Sequence, residues 1–225
     1  MKELEIFTLT LASDKPIEGT AAQLRGYFAT KFTEYTLLHH HDAGVLMYHY
    51  PLVQYKVIKG IPTVIGINEG SDLLKEIYHV TPSIHLGGQD FRIIETGVDL
   101  RRVPFGLSTT FFSYEFITPW LALNQKNYIA YYGMKNNEER QALLRRILIG
   151  NIISMSKSIG YEVNDRIKCD LTVSPQKKSL KDVNLMAFSG TFHINFHIPD
   201  TLGIGKSVSR GFGTVRQLKN IQKDG

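Results

Sequence analysis

Two segments near the C-terminal end alternate apolar and polar residues, and this period of two constrains the fold more than any other feature. Successive side chains of a β-strand point to opposite faces, so each segment predicts a strand with one buried and one polar face. The apolar positions are Ile167, Cys169, Leu171 and Val173 in the first segment, and Phe192, Ile194, Phe196 and Ile198 in the second.

Two other segments have the spacing and the start sequences of amphipathic helices. Each begins with an N-capping residue followed three positions later by a Gln or Glu that can complete a capping box. The pairs are Thr20 with Gln23 and Asn136 with Glu139. Gly160 predicts the end of the second helix. The apolar stripes are Ala21, Leu24, Phe28 and Phe32 in the first helix, and Leu144, Ile147, Leu148, Ile152, Met155 and Ile159 in the second.

Extended segments and one short helix surround these elements. We expect strands over residues 4–11, 45–58, 63–67, 91–103 and 110–117. The apolar phase shifts between Ile6 and Phe7, which predicts a bulge or two covered faces. Gly60 and Pro62 separate the strands expected over 45–58 and 63–67, which we expect to pair as a hairpin. Ser71 can cap a helix over 72–79.

The order β, α, β, β, α, β and its second occurrence predict an α+β fold class with two tandem ferredoxin-like (split βαβ) domains. The chain has 225 residues and 43% hydrophobic content, enough for two small cores. We place the domains at 1–105 and 106–225, with the boundary near Pro104. The second domain ends in a glycine-rich loop.

The charge distribution limits the class of binding partner, and the cysteine content limits the cellular compartment. The net charge is +5, and residues 166–225 hold 10 basic against 4 acidic side chains. A localised positive excess is typical of a polyanion-binding surface, although a solvated surface explains it equally well. The single cysteine and the lack of a signal peptide or a long apolar run favour a cytoplasmic protein without a membrane span.

The loop over residues 203–213 combines glycines with basic and hydroxyl side chains. Glycine permits positive φ and a close backbone approach, so this segment suits contact with phosphate, or else a hairpin between two strands. It lacks the spacing of a dinucleotide fingerprint or a nucleotide-binding P-loop. Its candidate phosphate-binding residues are Gly203, Gly205, Lys206, Ser207, Ser209, Arg210, Gly211, Phe212 and Gly213.

The pattern Gly-apolar-Gly, five residues, Gly-Phe-Gly resembles the glycine-rich loop of the repeat-associated mysterious protein superfamily of CRISPR systems. More narrowly, the chain resembles the sixth numbered Cas family, the endoribonucleases that cut precursor CRISPR RNA within its repeats. The resemblance implies cleavage by the RNA's own 2′-hydroxyl, without metal or cofactor, giving a 2′,3′-cyclic phosphate and a 5′-hydroxyl. It also implies repeat RNA as a partner, with effector-complex subunits and a second copy of the chain as further partners.

The same resemblance implies a catalytic set of His39, His41, Lys31 and Tyr48. Imidazole, with an ordinary pKa near 6.5, suits both the base and the acid of transesterification. If the segment is extended, the side chains of His39 and His41 project to one side, with their α-carbons about 6 to 7 Å apart. Lys31 would stabilise phosphoryl charge and Tyr48 would orient an oxygen. The triplet also fits a solvated turn or an adventitious metal site, Tyr48 fits packing, and Lys31 fits a charge at a helix end.

Polar strand faces in the C-terminal domain supply further candidate RNA contacts: Arg166, Lys168, His193 and Asn195. With Lys177, Lys178, Lys181 and the loop cations they could form a groove that positions the RNA backbone. Two rival functions stay open. One is a non-cleaving RNA-binding scaffold subunit of a CRISPR effector complex, and the other is a metal-dependent hydrolase built on the histidine cluster.

Overall fold

The computed structural model describes residues 1–39, 41–42, 45–46, 49–80, 82–180 and 183–219. None of the helices in these ranges is long and apolar enough to cross a membrane. The strands are β1 Lys2–Ser13, β2 His41–Asp42, β3 Val45–Leu46, β4 Val53–Ile58, β5 Ile61–Ile67, β6 Ser83–Leu86, β7 Gln89–Phe116, β8 Cys169–Leu180, β9 Val183–His197 and β10 Val215–Gln217. The helices are α1 Ala21–Lys31, α2 Thr36–His39, α3 Glu69–Ile77, α4 Gln125–Gly133 and α5 Asn137–Ser158, with 3-10 turns at Tyr78–Val80 and Val208–Arg210.

The chain divides into two compact units. The N-terminal unit comprises Glu3–Val103 together with Val208–Gly211. The C-terminal unit comprises Met1–Lys2, Pro104–Ser207 and the chain from Phe212 on. The division falls inside β7, and it assigns the middle of the glycine-rich loop to the N-terminal unit.

The N-terminal unit has the strand order β4-β5-β1-β7, with β6 paired to the start of β7. This is the ferredoxin-like order, in which α1 and α3 connect the strands. Leu24 and Phe28 of α1 and Leu74 of α3 are fully buried against Leu9 of β1 and Val64 of β5. Burying this many apolar side chains on one sheet face supplies the main stabilisation of the unit.

The C-terminal unit repeats the order as β8-β9-β7-β10. The α4 and α5 pair follows the first strand, and α5 buries Leu144, Leu148 and Ile152. Trp120, also fully buried, stacks on Phe116 with ring centroids 5.3 Å apart. The glycine-rich loop occupies the position between β9 and β10 where the N-terminal unit has α3. The predicted α+β class with tandem ferredoxin-like domains is confirmed.

Both predicted helix starts are confirmed, because Thr20 accepts from the backbone of Gln23 within a complete capping box and Asn136 accepts from Glu139. Gly160, with φ +71°, follows the end of α5 as predicted. The predicted hairpin forms between β4 and β5. Its turn residues Lys59 and Gly60 both have positive φ, as a tight hairpin turn requires.

Several local predictions are wrong. Ser71 does not cap a helix, since α3 begins at Glu69 after Asn68, and the Ser71 hydroxyl donates instead to Glu5 Oε1 at 3.0 Å. Residues 45–58 are not one strand, because β3 and β4 are separate elements. The two strands expected over 91–103 and 110–117 are one strand, β7, which ends at Phe116. At Ile6 and Phe7, by contrast, the predicted alternative of two covered faces is confirmed, because the pairing with β5 is continuous and both residues are buried.

Candidate nucleic-acid interface

The two ends of the glycine-rich loop are fixed by hydrogen bonds from its own backbone. The amide of Ile204 donates to the Gly213 carbonyl at 2.9 Å, and that of Gly213 donates to Pro119 at 2.9 Å. The Lys206 amide donates to the Leu121 carbonyl at 3.3 Å. Because these amides bond to protein, they hold the loop in shape and do not surround a ligand.

The glycines at these ends are required by close packing. Gly205 has φ +94°, and a Cβ there would lie 2.6 Å from Nε1 of Trp120. Gly213 has φ +66°, and its Cβ would overlap the carbonyl oxygen of Ile204. A side chain at either position would meet both backbone strain and a steric clash. The sequence predicts the glycine conformations, whereas only the structure shows what they approach.

The middle of the loop packs on α1 and β4 inside the N-terminal unit. Gly211 has φ +85°, and a Cβ there would lie 2.7 Å from the Cβ of Ala21 and 3.2 Å from the Tyr55 carbonyl oxygen. The Gly211 amide donates to the Val208 carbonyl at 3.0 Å, closing the 3-10 turn. The loop therefore sits directly on the first turn of the helix that leads to the histidine segment.

Cations accompany both parts of the loop. In the C-terminal unit the Lys206 ammonium donates to the Leu123 carbonyl at 3.0 Å, and burial lowers its pKa. In the N-terminal unit the charge of Arg210 acts on Arg25 of α1. Burial, and then the charge of Arg210, lowers the pKa of the Arg25 guanidinium. No sequence pattern selects Arg25, because its neighbour lies at the other end of the chain.

Lys31 is held at the end of α1 by aromatic neighbours. Its ammonium donates to the Tyr27 hydroxyl at 3.1 Å and lies 5.6 Å from the ring centre of Phe32. The Tyr27 hydroxyl donates in turn to the Ser83 carbonyl at 2.7 Å. Lys31 is half-buried, so the helix, a hydroxyl and two rings fix its position.

The histidine segment begins at the end of α2, the short helix that follows α1. His39 is the last residue of α2, and Leu38 anchors that helix in the core with 1% of its surface exposed. His41 begins β2, where it pairs with Leu46 of β3. The assumption of a fully extended segment is therefore wrong at His39, which is helical. The structure describes the backbone of both histidines, whereas Tyr48 lies outside the described residues.

A second candidate surface is the polar face of the C-terminal sheet. Nδ1 of His193 on β9 lies 3.0 Å from Ser113 Oγ on β7. The exposed ring of Phe111 stacks on the imidazole with centroids 5.1 Å apart and an interplanar angle of 16°. Arg166 and Lys168 are exposed beside β9. Flat exposed rings near cations are typical of surfaces that stack single-stranded bases.

Asn195, another predicted RNA contact, has its amide committed to the backbone. Its Oδ1 accepts from the Lys168 amide at 2.7 Å, and its Nδ2 donates to the Arg166 carbonyl at 3.2 Å. The side chain therefore ties the chain before β8 to β9. Among the predicted basic residues, Lys177 and Lys178 are exposed on β8, and Lys181 lies outside the described residues.

Lys56 on β4 is a buried cation that no sequence pattern singles out. Its side chain is fully buried, and its ammonium donates to Gln54 Oε1 at 3.2 Å. Burial lowers its pKa to about 7. The sequence places Lys56 beside Tyr55 in a strand, but it does not show that both faces of that strand are covered.

Comparisons with known proteins place the chain in a family. The model of the Cas6b N-terminal domain matches residues 2–103, and that of the Cas6b C-terminal domain matches residues 106–218. A crystal structure of Cas6b superposes with a TM-score of 0.89 at 35% identity, covering 96% of this chain and all of that one. A CRISPR RNA processing endoribonuclease Cas6b superposes with a TM-score of 0.77 at 34% identity, again covering 96% and 100%.

A curated relative, an uncharacterized protein of Methanocaldococcus jannaschii, is 38% identical over 137 residues, which are 60% of this chain and 92% of the relative. The fold, the loop and the two domain models define a CRISPR-associated protein of the sixth numbered Cas family. Within it, the chain belongs to the Cas6b family. The resemblance inferred from the loop pattern is confirmed.

Proposed function

We propose that this chain is an endoribonuclease that cuts precursor CRISPR RNA within its repeats, without a metal ion, to produce guide RNAs. Membership of the Cas6b family supports RNA processing, because a member of known structure is described as a CRISPR RNA processing endoribonuclease. One structural observation carries the proposal furthest. The middle of the glycine-rich loop packs on α1 in the same unit that contains the segment His39 to His41.

The proposed reaction is an internal transesterification. One imidazole of the pair His39 and His41 removes the proton of the 2′-hydroxyl, and the 2′-oxygen attacks the adjacent phosphorus. The bond from phosphorus to the 5′-oxygen breaks, and the other imidazole protonates that leaving oxygen. The products are a 2′,3′-cyclic phosphate and a 5′-hydroxyl. Each proton transfer contributes about 10²- to 10⁴-fold to the rate.

Two further residues complete the proposed site. Lys31, whose ammonium is held near Tyr27 and Phe32, stabilises the charge that develops on the non-bridging phosphate oxygens. Tyr48 orients the 2′-hydroxyl or a phosphate oxygen. We propose that the other loop residues and the polar sheet face around His193 hold the flanking strand.

Product analysis of the cognate repeat RNA tests this proposal. Cleavage in EDTA, with cyclic phosphate and 5′-hydroxyl ends and no cleavage of RNA carrying a 2′-deoxy residue at the cut site, supports it. Cleavage that EDTA abolishes contradicts metal independence and favours the metal-dependent hydrolase. Tight binding without cleavage favours the scaffold subunit of an effector complex. Size-exclusion chromatography with and without RNA tests the homodimer.

A further inference from the structure

The packing of the glycine-rich loop on α1 places Arg210 on the same side of the helix as Arg25. Ala21 and Arg25 are four residues apart in α1 and so lie on one helix face. Gly211 lies against Ala21, and Arg210 immediately precedes Gly211. The charge of Arg210 acts on Arg25, which is half-buried. The required glycine at 211 is therefore what allows a second guanidinium to reach this face of the helix.

A buried hydroxyl lies beside the pair. Tyr55 is 1% exposed, and its hydroxyl has no hydrogen-bond partner among the described residues. Burial raises the pKa of Tyr55, and the charge of Arg25 opposes that rise, so the hydroxyl is within the field of Arg25. A buried hydroxyl without a partner is unfavourable. An anion bound in the field of Arg25 would accept a hydrogen bond from that hydroxyl.

We propose that Arg25 and Arg210 together bind one phosphodiester group of the RNA strand, next to the hydroxyl of Tyr55. The inference rests on the proposed function for the identity of the polyanion. Guanidinium groups suit this ligand because their paired N–H groups match two phosphate oxygens. Arg25 precedes Lys31 by about 9 Å along the axis of α1. The bound phosphate is therefore a neighbour of the scissile one and not the scissile phosphate itself.

Equilibrium binding of a 2′-deoxy repeat RNA, which cannot be cleaved, tests the pair. We expect Arg25→Ala and Arg210→Ala each to weaken binding about 10-fold, and the double variant to weaken it by less than the product of the two. Each single variant should lower the slope of log Kd against log salt by about 1. Arg92→Ala, which removes an exposed arginine of β7, is the charge-matched control and should leave the slope as in wild type.

Two further measurements separate binding from folding. The melting temperature of the free Arg25→Ala protein shows whether the variant stays folded, so that a loss of affinity without a loss of stability is assigned to binding. RNAs with a single uncharged methylphosphonate linkage identify the phosphate. At one linkage other than the cut site, neutralisation should weaken wild-type binding about 10-fold and leave binding by Arg25→Ala unchanged.

Three results overturn the inference: wild-type affinity in Arg25→Ala, equal sensitivity of both proteins at every linkage, and a lowered melting temperature in Arg25→Ala with an unchanged salt slope. Failure of the wild-type protein to bind repeat RNA is a separate outcome that removes the proposed function itself.

Discussion

The two units share one strand order but differ in the segment that comes after the third strand. In the N-terminal unit β5 leads into α3, whose Leu73, Leu74 and Ile77 fill that unit's core. In the C-terminal unit β9 leads into the glycine-rich loop, and four loop residues pack in the N-terminal unit. A helix at this place would bury its apolar face in the core of its own unit, whereas a glycine-rich loop can approach another backbone closely. One unit therefore has a core helix where the other has a glycine-rich loop.

The units also differ in the chemistry they present. The N-terminal unit has Lys31 and the segment His39 to His41 after a well-anchored helix. The C-terminal unit has an exposed sheet face where His193 stacks on Phe111. Under the proposed function, this contrast assigns proton transfer to the first unit and contact with the flanking RNA strand to the sheet face of the second.

The largest effect is expected for the double variant His39→Ala/His41→Ala. Loss of both imidazoles removes the base and the acid, so single-turnover cleavage of repeat RNA should slow by at least about 100-fold. Affinity for the 2′-deoxy repeat should change by less than about 3-fold.

His193→Ala is the matched control, because it removes an imidazole from the C-terminal unit instead. At saturating RNA it should cleave at close to the wild-type rate while its Kd rises. Undiminished cleavage by the double variant, or equal loss in the control, would remove the proposed division of labour.

An intermediate effect is expected for Gly211→Ala. Positive φ costs a residue with a Cβ about 1–2 kcal/mol, and the added carbon would also press on Ala21. We expect the free energy of unfolding in urea to fall by about 2 kcal/mol and RNA binding to weaken.

Gly26→Ala offers a control within α1, since a Cβ there meets no atom within 4 Å. It should raise the unfolding free energy by about 0.5–1 kcal/mol through helix propensity. Equal changes of the unfolding free energy in Gly211→Ala and Gly26→Ala would contradict the idea that Gly211 is needed for the close packing of the loop on α1.

The smallest effect concerns Lys56. Its pKa is lowered to about 7 in the folded protein, below the ordinary 10.5. Above pH 7 the unfolded chain holds a proton that the folded chain has lost, so stability should rise with pH between about 7 and 10.5.

Relative to Lys56→Met, the wild-type unfolding free energy should increase by about 1 kcal/mol per pH unit from pH 7 to 9. Lys168→Met, at an exposed lysine of the C-terminal unit, serves as the control and should follow the wild type. A constant difference between wild type and Lys56→Met would contradict a buried lysine that releases its proton on folding.

Sequence predicted those features that depend on near neighbours. The Thr20 capping box needs only residues three positions apart, and the two alternating strands need only a period of two. Ser71 misled because it has the right residue type, whereas Asn68, with φ +50°, starts the helix earlier. Helix α4 is not predicted from sequence because Tyr128 and Ile129 are exposed on it and leave no apolar stripe.

Only the part of the candidate site that lies in one short motif, the glycine-rich loop, could be predicted from sequence. The loop pattern identified the family, yet it could not reveal that Gly211 lies on Ala21 or that the charge of Arg210 acts on Arg25. Such pairs join distant parts of the chain and leave no local pattern. Asn195 has a polar position typical of an RNA contact, but only the structure shows its amide bonded to Arg166 and Lys168.

The most direct test is a crystal structure with a repeat RNA carrying a 2′-deoxy residue at the cleavage position. We predict RNA phosphates against Val208–Gly211, and the uncut linkage within hydrogen-bonding reach of His39 or His41. RNA bound on the C-terminal sheet face alone, with the uncut linkage remote from both histidines, would contradict the account.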